Sequence, residues 1–216
     1  MKILIAAATE LEIKPLKKLL AKTSLKKQPD FIITGIGMTA TAYHLAKKIS
    51  GKKYDLAVNI GLAGSFQKKI FIGEVVNVTS ESFADLGAED GNNFLTLAEM
   101  GLQKKNEFPF RGEKLFNTTA KKYSFLKKLR QANSITVNTV HGSERSIKSA
   151  VRKYNPGIES MEGAAFFYVC MMEKIPCVQL RAISNYVERR NKNNWNIPLA
   201  LKNLTATTFE FLQTLT

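Results

Sequence analysis

With 216 residues, 44% of them hydrophobic, the chain can bury the core of one medium α/β domain spanning residues 1–216, which excludes a disordered tail or a peptide scaffold. Its 32 Lys and Arg outweigh 18 Asp and Glu, for a net charge of +14. The lysines fall in scattered pairs (Lys17-Lys18, Lys26-Lys27, Lys47-Lys48, Lys52-Lys53, Lys121-Lys122, Lys127-Lys128) instead of one block, the pattern of a solvated surface, although such a field attracts nucleic acid, membrane surface or anionic substrates alike.

The chain opens with an apolar run, Ile3 to Ala8, too short for a signal peptide or a membrane span, which reads as a buried strand over Lys2–Ala8. Helical spacing follows over Glu10–Ala21, with Glu12 in the first turn. On its own that acid reads as a solvated charge at a helix N-terminus, as does Glu10. A strand at Phe31–Thr34 leads through Gly35-Ile36-Gly37-Met38-Thr39-Ala40 into a helix at Thr39–Ser50. The G-x-G-x-x-A pattern raises dinucleotide binding, because glycines let a pyrophosphate approach a helix N-terminus. The acid at about the right distance, Asp55, precedes the strand Leu56–Gly61 instead of closing it, so a tight strand-to-helix turn is the better reading and no cofactor is called for.

A second small-residue turn, Asn59-Ile60-Gly61-Leu62-Ala63-Gly64-Ser65, ends that strand. Two neighbouring strands therefore open into glycine loops where open α/β sheets place ligands, and neither loop has the Gly-Lys-Ser/Thr of a phosphate loop. After a strand at Glu74–Thr79, the stretch Glu81–Asn117 reads as a long irregular surface excursion, with Gly87, Gly91, Gly101, Gly112 and Pro109 among scattered aromatics. A helix at Thr118–Ala132, a strand at Ser134–Asn138 and a helix at Ser143–Tyr154 follow.

In Glu159-Ser160-Met161-Glu162-Gly163-Ala164-Ala165 an acid pair begins a strongly apolar helix, Glu162–Lys174. The helix dipole favours carboxylates there, but a buried acid needs partners, and a pair of sugar hydroxyls would serve. The strand Cys177–Ser184 turns polar at Arg181-Ala182-Ile183-Ser184-Asn185, where either binding residues or an Asx turn belong. A last helix spans Pro198–Leu215. Cys170 and Cys177 lie in apolar surroundings without metal-ligand spacing, so no metal site and no disulfide framework is expected, and a reducing cytoplasm fits. The alternation of short Val- and Ile-rich strands with helices gives an α/β class, strands covered on both faces by helices.

Taken together, Glu12, Gly35-Ile36-Gly37, Asn59-Ile60-Gly61-Leu62-Ala63-Gly64, Ser160-Met161-Glu162-Gly163-Ala164-Ala165 and Arg181-Ala182-Ile183-Ser184-Asn185 resemble the nucleoside phosphorylase and nucleosidase superfamily, in order and over nearly the whole chain. Phe83-Ala84-Asp85-Leu86-Gly87-Ala88-Glu89-Asp90, Val140-His141-Gly142-Ser143, Ser184-Asn185-Tyr186-Val187-Glu188 and Trp195-Asn196-Ile197 are most similar to the futalosine hydrolases within it, nucleosidases of an alternative menaquinone pathway. The resemblance implies a three-layer αβα fold with a central mixed sheet, a small nucleoside substrate, no cofactor and a homodimer in which the irregular middle segment reaches the neighbouring site. It implies Glu12 as the water-activating acid, Met161 and Glu162 at the ribose, and Val140 with its main chain on the purine. Phe66, Phe108 and Phe110, with Arg189, Arg190 and Lys192, are candidates for the aromatic carboxylate on the 5′ side.

One departure is informative. Methylthioadenosine and adenosylhomocysteine nucleosidases have Asp at the position of Asn185. An amide offers both a donor and an acceptor, which suits a 6-oxopurine such as hypoxanthine, whereas a 6-aminopurine would leave donors facing or unpaired at about 1–3 kcal/mol. A phosphorylase would need an anion nest facing the sugar, and Leu62 beside Glu12 is a poor one, which favours water as the nucleophile. A basic nucleic-acid-binding protein is the reading from another class, but no basic stripe interleaved with aromatics and no recognition helix supports it.

Overall fold

The computed structural model describes residues 1–23 and 28–215; the lysine pair at 26–27 lies outside them. The fold is organised on one long strand. After β1 (Ile3–Ala7), α1 (Glu10–Leu20), β2 (Asp30–Ile33) and α2 (Met38–Ile49), the strand β3 runs ten residues, Leu56–Ser65, where the sequence predicts a strand ending at Gly61 and a loop. Gly61 and Gly64 stay in the strand because their missing Cβ atoms leave room that neighbouring side chains fill: a Cβ at Gly61 would sit 2.1 Å from Arg181 Nη1 and 3.0 Å from Glu12 Oε1.

The chain continues through β4 (Val75–Phe83), a hairpin of β5 (Gly87–Asp90) and β6 (Asn93–Thr96), and β7 (Leu115–Phe116), so the predicted irregular stretch holds ordered strands at both ends. Glu81, expected at the start of the excursion, is instead inside β4 and fully buried. The predicted helix Thr118–Ala132 is corrected too. It is a 3-10 turn, Thr119–Lys122, and a five-residue α3 (Ser124–Lys128), after which β8 (Arg130–Thr136) begins because Arg130, Gln131 and Ala132 pair in parallel with Val76, Asn77 and Val78. Sheet pairing outweighs the helical spacing of lysines that stay in solvent on one side. Then come α4 (Glu144–Tyr154), the short β9 (Ile158–Ser160), α5 (Gly163–Met172), β10 (Cys177–Tyr186) and α6 (Ile197–Gln213).

The sheet is mixed. β3 pairs β1 along its first half and β9 along its end, while β10 lies parallel to it along nearly its whole length. β10 pairs β4, β4 pairs β8 and β8 pairs β9, so these strands close a ring with β3, from which β1 and β2 extend. Helices α2 and α5 pack together in the core on one face, around Leu45, Ile49, Phe166 and Phe167, and α1 and α6 on the other, around Ile13, Leu16, Leu204 and Phe211. Three layers result. α5 has apolar side chains nearly all round, which fits a helix buried except at Tyr168 and Met172. Among the described residues no helix is long and apolar enough to cross a membrane.

Candidate active site

At the C-terminal end of β1, Thr9 caps α1 and Glu12 closes the capping box: Glu12 Oε2 accepts from the Thr9 N–H (2.9 Å) and hydroxyl (2.8 Å). Its other oxygen, Oε1, accepts the main-chain N–H of Leu62 on β3 at 3.1 Å. Glu12 is therefore buried and fixed, not the solvated first-turn acid that position alone suggests. The Leu62 side chain packs onto the core beneath α1 and α6, and its N–H is committed to Glu12.

Directly across from Gly61 on β10 stands Arg181, 1% exposed, with its guanidinium filling the space over that glycine. Arg181 Nη1 lies 3.5 Å from Glu162 Oε2, while its Nε and Nη2 have no hydrogen-bond partner among the described residues. Glu162 is the N-cap of α5, buried, and its Oε1 accepts the N–H of Gly37 at 3.2 Å. That contact explains the Gly35–Gly37 turn: both glycines have positive φ (81° and 89°), and Gly37 caps α2 with its amide turned to the carboxylate. Thus Glu162 and, through it, Gly37 meet one buried guanidinium, and Glu12 Oε1 borders the same space over Gly61. The sequence quoted Arg181 without a role; a charged residue inside an apolar strand was the available signal.

A second buried acid lies behind this cluster. Glu81 Oε1 accepts from Gln179 Nε2 (2.6 Å) and Oε2 from the Thr136 hydroxyl (2.9 Å), and Thr136 Oγ1 in turn accepts the N–H of Ala164 (2.8 Å). Burial pushes the Glu81 carboxyl up from 4.5 to about 7, against the opposing pull of Gln179 and Arg181. A Cβ at Gly163 would fall 1.9 Å from Glu81 Oε1, so only glycine lets α5 begin here.

Three residues further along β3, Gly64 pairs with Asn185 on one side and with Glu159 on the other. Residues in lateral register point to one face of a sheet, and a Cβ at Gly64 would lie 3.3 Å from Asn185 Nδ2 and 3.7 Å from Glu159 Cγ. Asn185 is half-buried: its Oδ1 accepts from the Ser184 hydroxyl (2.7 Å) and its Nδ2 donates to the Tyr186 carbonyl (2.9 Å), leaving one N–H and one lone pair. Glu159 is on β9 and buried, not at the start of a helix as its acid-pair spacing suggests. Its Oε2 meets His141 Nδ1 at 2.6 Å, its Oε1 accepts the His141 main-chain N–H at 3.2 Å, and Phe66 stands edge-on to the imidazole at 6.0 Å between centroids.

Among the other expected site residues, Met161 is half-buried between β9 and Glu162, and Val140 is exposed in the loop after β8, next to His141. Phe110 lies tilted against Phe83 and Tyr168 at centroid distances of 6.3 and 6.1 Å, away from the Arg181 cluster in its contacts. Phe108 is two-thirds exposed, and Arg190 lies over Trp195. At about 3.3 Å per residue, Gly61 and Gly64 are roughly 10 Å apart along β3, and a register shift between Ile183 and Asn185 on β10 lies between the Arg181 level and the Asn185 level.

A sequence profile of the phosphorylase superfamily matches residues 2–213. Futalosine hydrolase of Streptomyces coelicolor is 29% identical over 183 residues, covering 82% of this chain and 75% of that protein. Futalosine hydrolase of Thermus thermophilus is 30% identical over 177 residues, covering 81% and 76%. In fold, the chain is similar to 5′-methylthioadenosine/S-adenosylhomocysteine nucleosidase of Helicobacter pylori, with a TM-score of 0.79 and 18% identity, covering 99% of this chain and 98% of that one.

Proposed function

The chain belongs to the phosphorylase superfamily, and from that premise we propose that it is a nucleosidase that uses water to cleave the N-glycosidic bond of futalosine, releasing hypoxanthine and dehypoxanthine futalosine. The observation that carries the proposal is the pairing of two levels on β3, Glu12–Arg181–Glu162 around Gly61 and Asn185 beside Gly64.

Cleavage of an N-glycosidic bond passes through an oxocarbenium-like state, so catalysis needs negative charge near the sugar, a positioned nucleophile and a stabilised leaving base. Glu12 takes the proton of the attacking water. Three hydrogen bonds from the protein, two from Thr9 and one from the Leu62 amide, hold this carboxylate in place. Arg181, with two donors unpaired by protein, holds that water and neutralises the two carboxylates it separates. Glu162 accepts from the ribose hydroxyls with the lone pairs that Gly37 and Arg181 leave, and Met161 lies against the sugar. Water is favoured over phosphate because the Leu62 amide on β3 is already spent on Glu12, whose carboxylate is a poor neighbour for a second anion.

At the other level, the free N–H of Asn185 faces O6 and its remaining lone pair accepts from N7–H of the departing base, a pattern that a 6-aminopurine cannot match. Val140 meets the purine through its main chain. Phe66 and Phe110 supply apolar surface for the 5′ side. Phe110 reaches a site only in a homodimer, which the exposed Leu102, Phe108, Tyr168 and Met172 favour, and sedimentation would report it.

Separate incubation with futalosine, inosine and methylthioadenosine, followed by chromatography, tests the reading. Hypoxanthine from futalosine, with methylthioadenosine untouched, is the expected result; adenine from methylthioadenosine as the main product would overturn it.

A further inference from the structure

Asn185 raises a problem that the proposed reaction must solve. An amide can hold N7–H of the departing purine, but it has no proton to give, and a purine leaving as its anion is a poor leaving group. The register of the sheet puts an ionisable pair at the same level: Asn185, Gly64 and Glu159 lie side by side on β10, β3 and β9, and Asn185 Nδ2 and Glu159 Cγ, together with Val187 Cγ2, close over the space that Gly64 leaves. His141 is bound to Glu159 twice, through Nδ1 and through its own main-chain N–H. A buried carboxylate at 2.6 Å fixes the proton on Nδ1 and orients the ring, and among the described residues Nε2 has no protein partner, the arrangement that turns a histidine into a positioned acid. The same histidine lines an open cleft of about 650 Å³ between α4 and the β5–β6 hairpin, so solvent reaches it for proton exchange.

We infer that His141, oriented by Glu159, is the acid that protonates the departing 6-oxopurine. The inference rests on the reading of the chain as a purine nucleosidase and adds the group that Asn185 cannot be. As the C1′–N9 bond breaks, its electron pair passes to the purine. The imidazolium gives its Nε2 proton to N7, leaving neutral imidazole with Nδ1–H still on Glu159, and the new N7–H is shared with the Asn185 carbonyl. Water gives its oxygen to C1′ and a proton to Glu12. One water is consumed per base released; Glu12 releases its proton to solvent as the sugar leaves, and His141 regains one from the cleft.

A change of leaving group tests this. His141→Asn and Glu159→Gln are compared with the unaltered protein on inosine and on p-nitrophenyl β-D-ribofuranoside, whose p-nitrophenolate leaves without protonation. His141→Asn should lower kcat/KM on inosine by roughly 10²-fold or more and leave p-nitrophenyl riboside cleavage within about threefold, with Glu159→Gln falling in between. Replacing His141 removes the imidazole partner of the buried Glu159, so the thermal midpoint of each variant is measured alongside, and Glu159→Gln, whose amide carries no charge to leave unpaired, supplies the second reading if His141→Asn unfolds. Equal losses on both substrates, or no loss on inosine, would overturn the assignment of the acid. If the unaltered protein releases neither hypoxanthine nor p-nitrophenol, the nucleosidase reading itself falls and the inference with it.

Discussion

Glu81→Gln should remove a pH dependence of stability that the wild-type fold carries. The Glu81 carboxyl is fully buried, and its pKa rises from 4.5 to about 7 because burial disfavours the charged form. Between those two values the folded protein binds a proton that the unfolded chain has lost, so wild-type stability falls as pH rises. The shift is about 2.5 units at 1.36 kcal/mol each, or roughly 3 kcal/mol between pH 4 and pH 8. Glutamine is shaped like the neutral acid: its carbonyl can accept from Gln179 Nε2 and its NH₂ can donate to Thr136 Oγ1, which also takes the Ala164 N–H. Urea unfolding of both proteins at pH 4, 6 and 8 would isolate the effect, since every other titrating group is shared. The variant should gain roughly 3 kcal/mol on the wild type across that range. Parallel stability curves would refute the claim that the buried acid is held neutral.

Glu12→Gln should lower kcat by roughly 10²–10⁴-fold with the thermal midpoint little changed, because the amide keeps the shape but cannot take a proton; retained turnover would remove the water-activating role. Asn185→Asp should move the preference from 6-oxo toward 6-aminopurine nucleosides by on the order of 10-fold to 100-fold in the ratio of kcat/KM, the scale of one mismatched buried polar contact. Gly61→Ala should cost about 1–3 kcal/mol of stability and most of the activity, because the new methyl meets Arg181 Nη1 at 2.1 Å and displaces a buried guanidinium; a wild-type unfolding curve would contradict that packing.

Much of the architecture is legible because its periodicities are strong. α1, α2, α4, α5 and α6 fall within a residue or two of the expected spans, β1 and β2 are short runs within a residue of theirs, and β10 extends two residues beyond its expected end at Ser184. What the sequence conceals has a common cause, polar residues buried by long-range pairing. Ser80-Glu81-Ser82 looks like a loop until Thr136 and Gln179 supply its hydrogen bonds. β9 is three residues long, too short for any alternation to register, and yet it carries Glu159 into the sheet. The glycines at 61 and 64 look like a turn because composition reports the absence of side chains, not the side chains of Arg181, Asn185 and Glu159 that need the space. At the site, the ordered motifs named the residues, while the Gly37 amide on Glu162 and the Leu62 amide on Glu12 are main-chain contacts that no side-chain pattern encodes.

The central claim, that a buried carboxylate delivers water to a sugar whose base is read three residues further along β3, is tested most directly by running the reaction with futalosine in ¹⁸O-labelled water containing phosphate. Free dehypoxanthine futalosine carrying ¹⁸O at the anomeric carbon, together with unlabelled hypoxanthine, is the predicted outcome. An unlabelled sugar 1-phosphate in its place would contradict it.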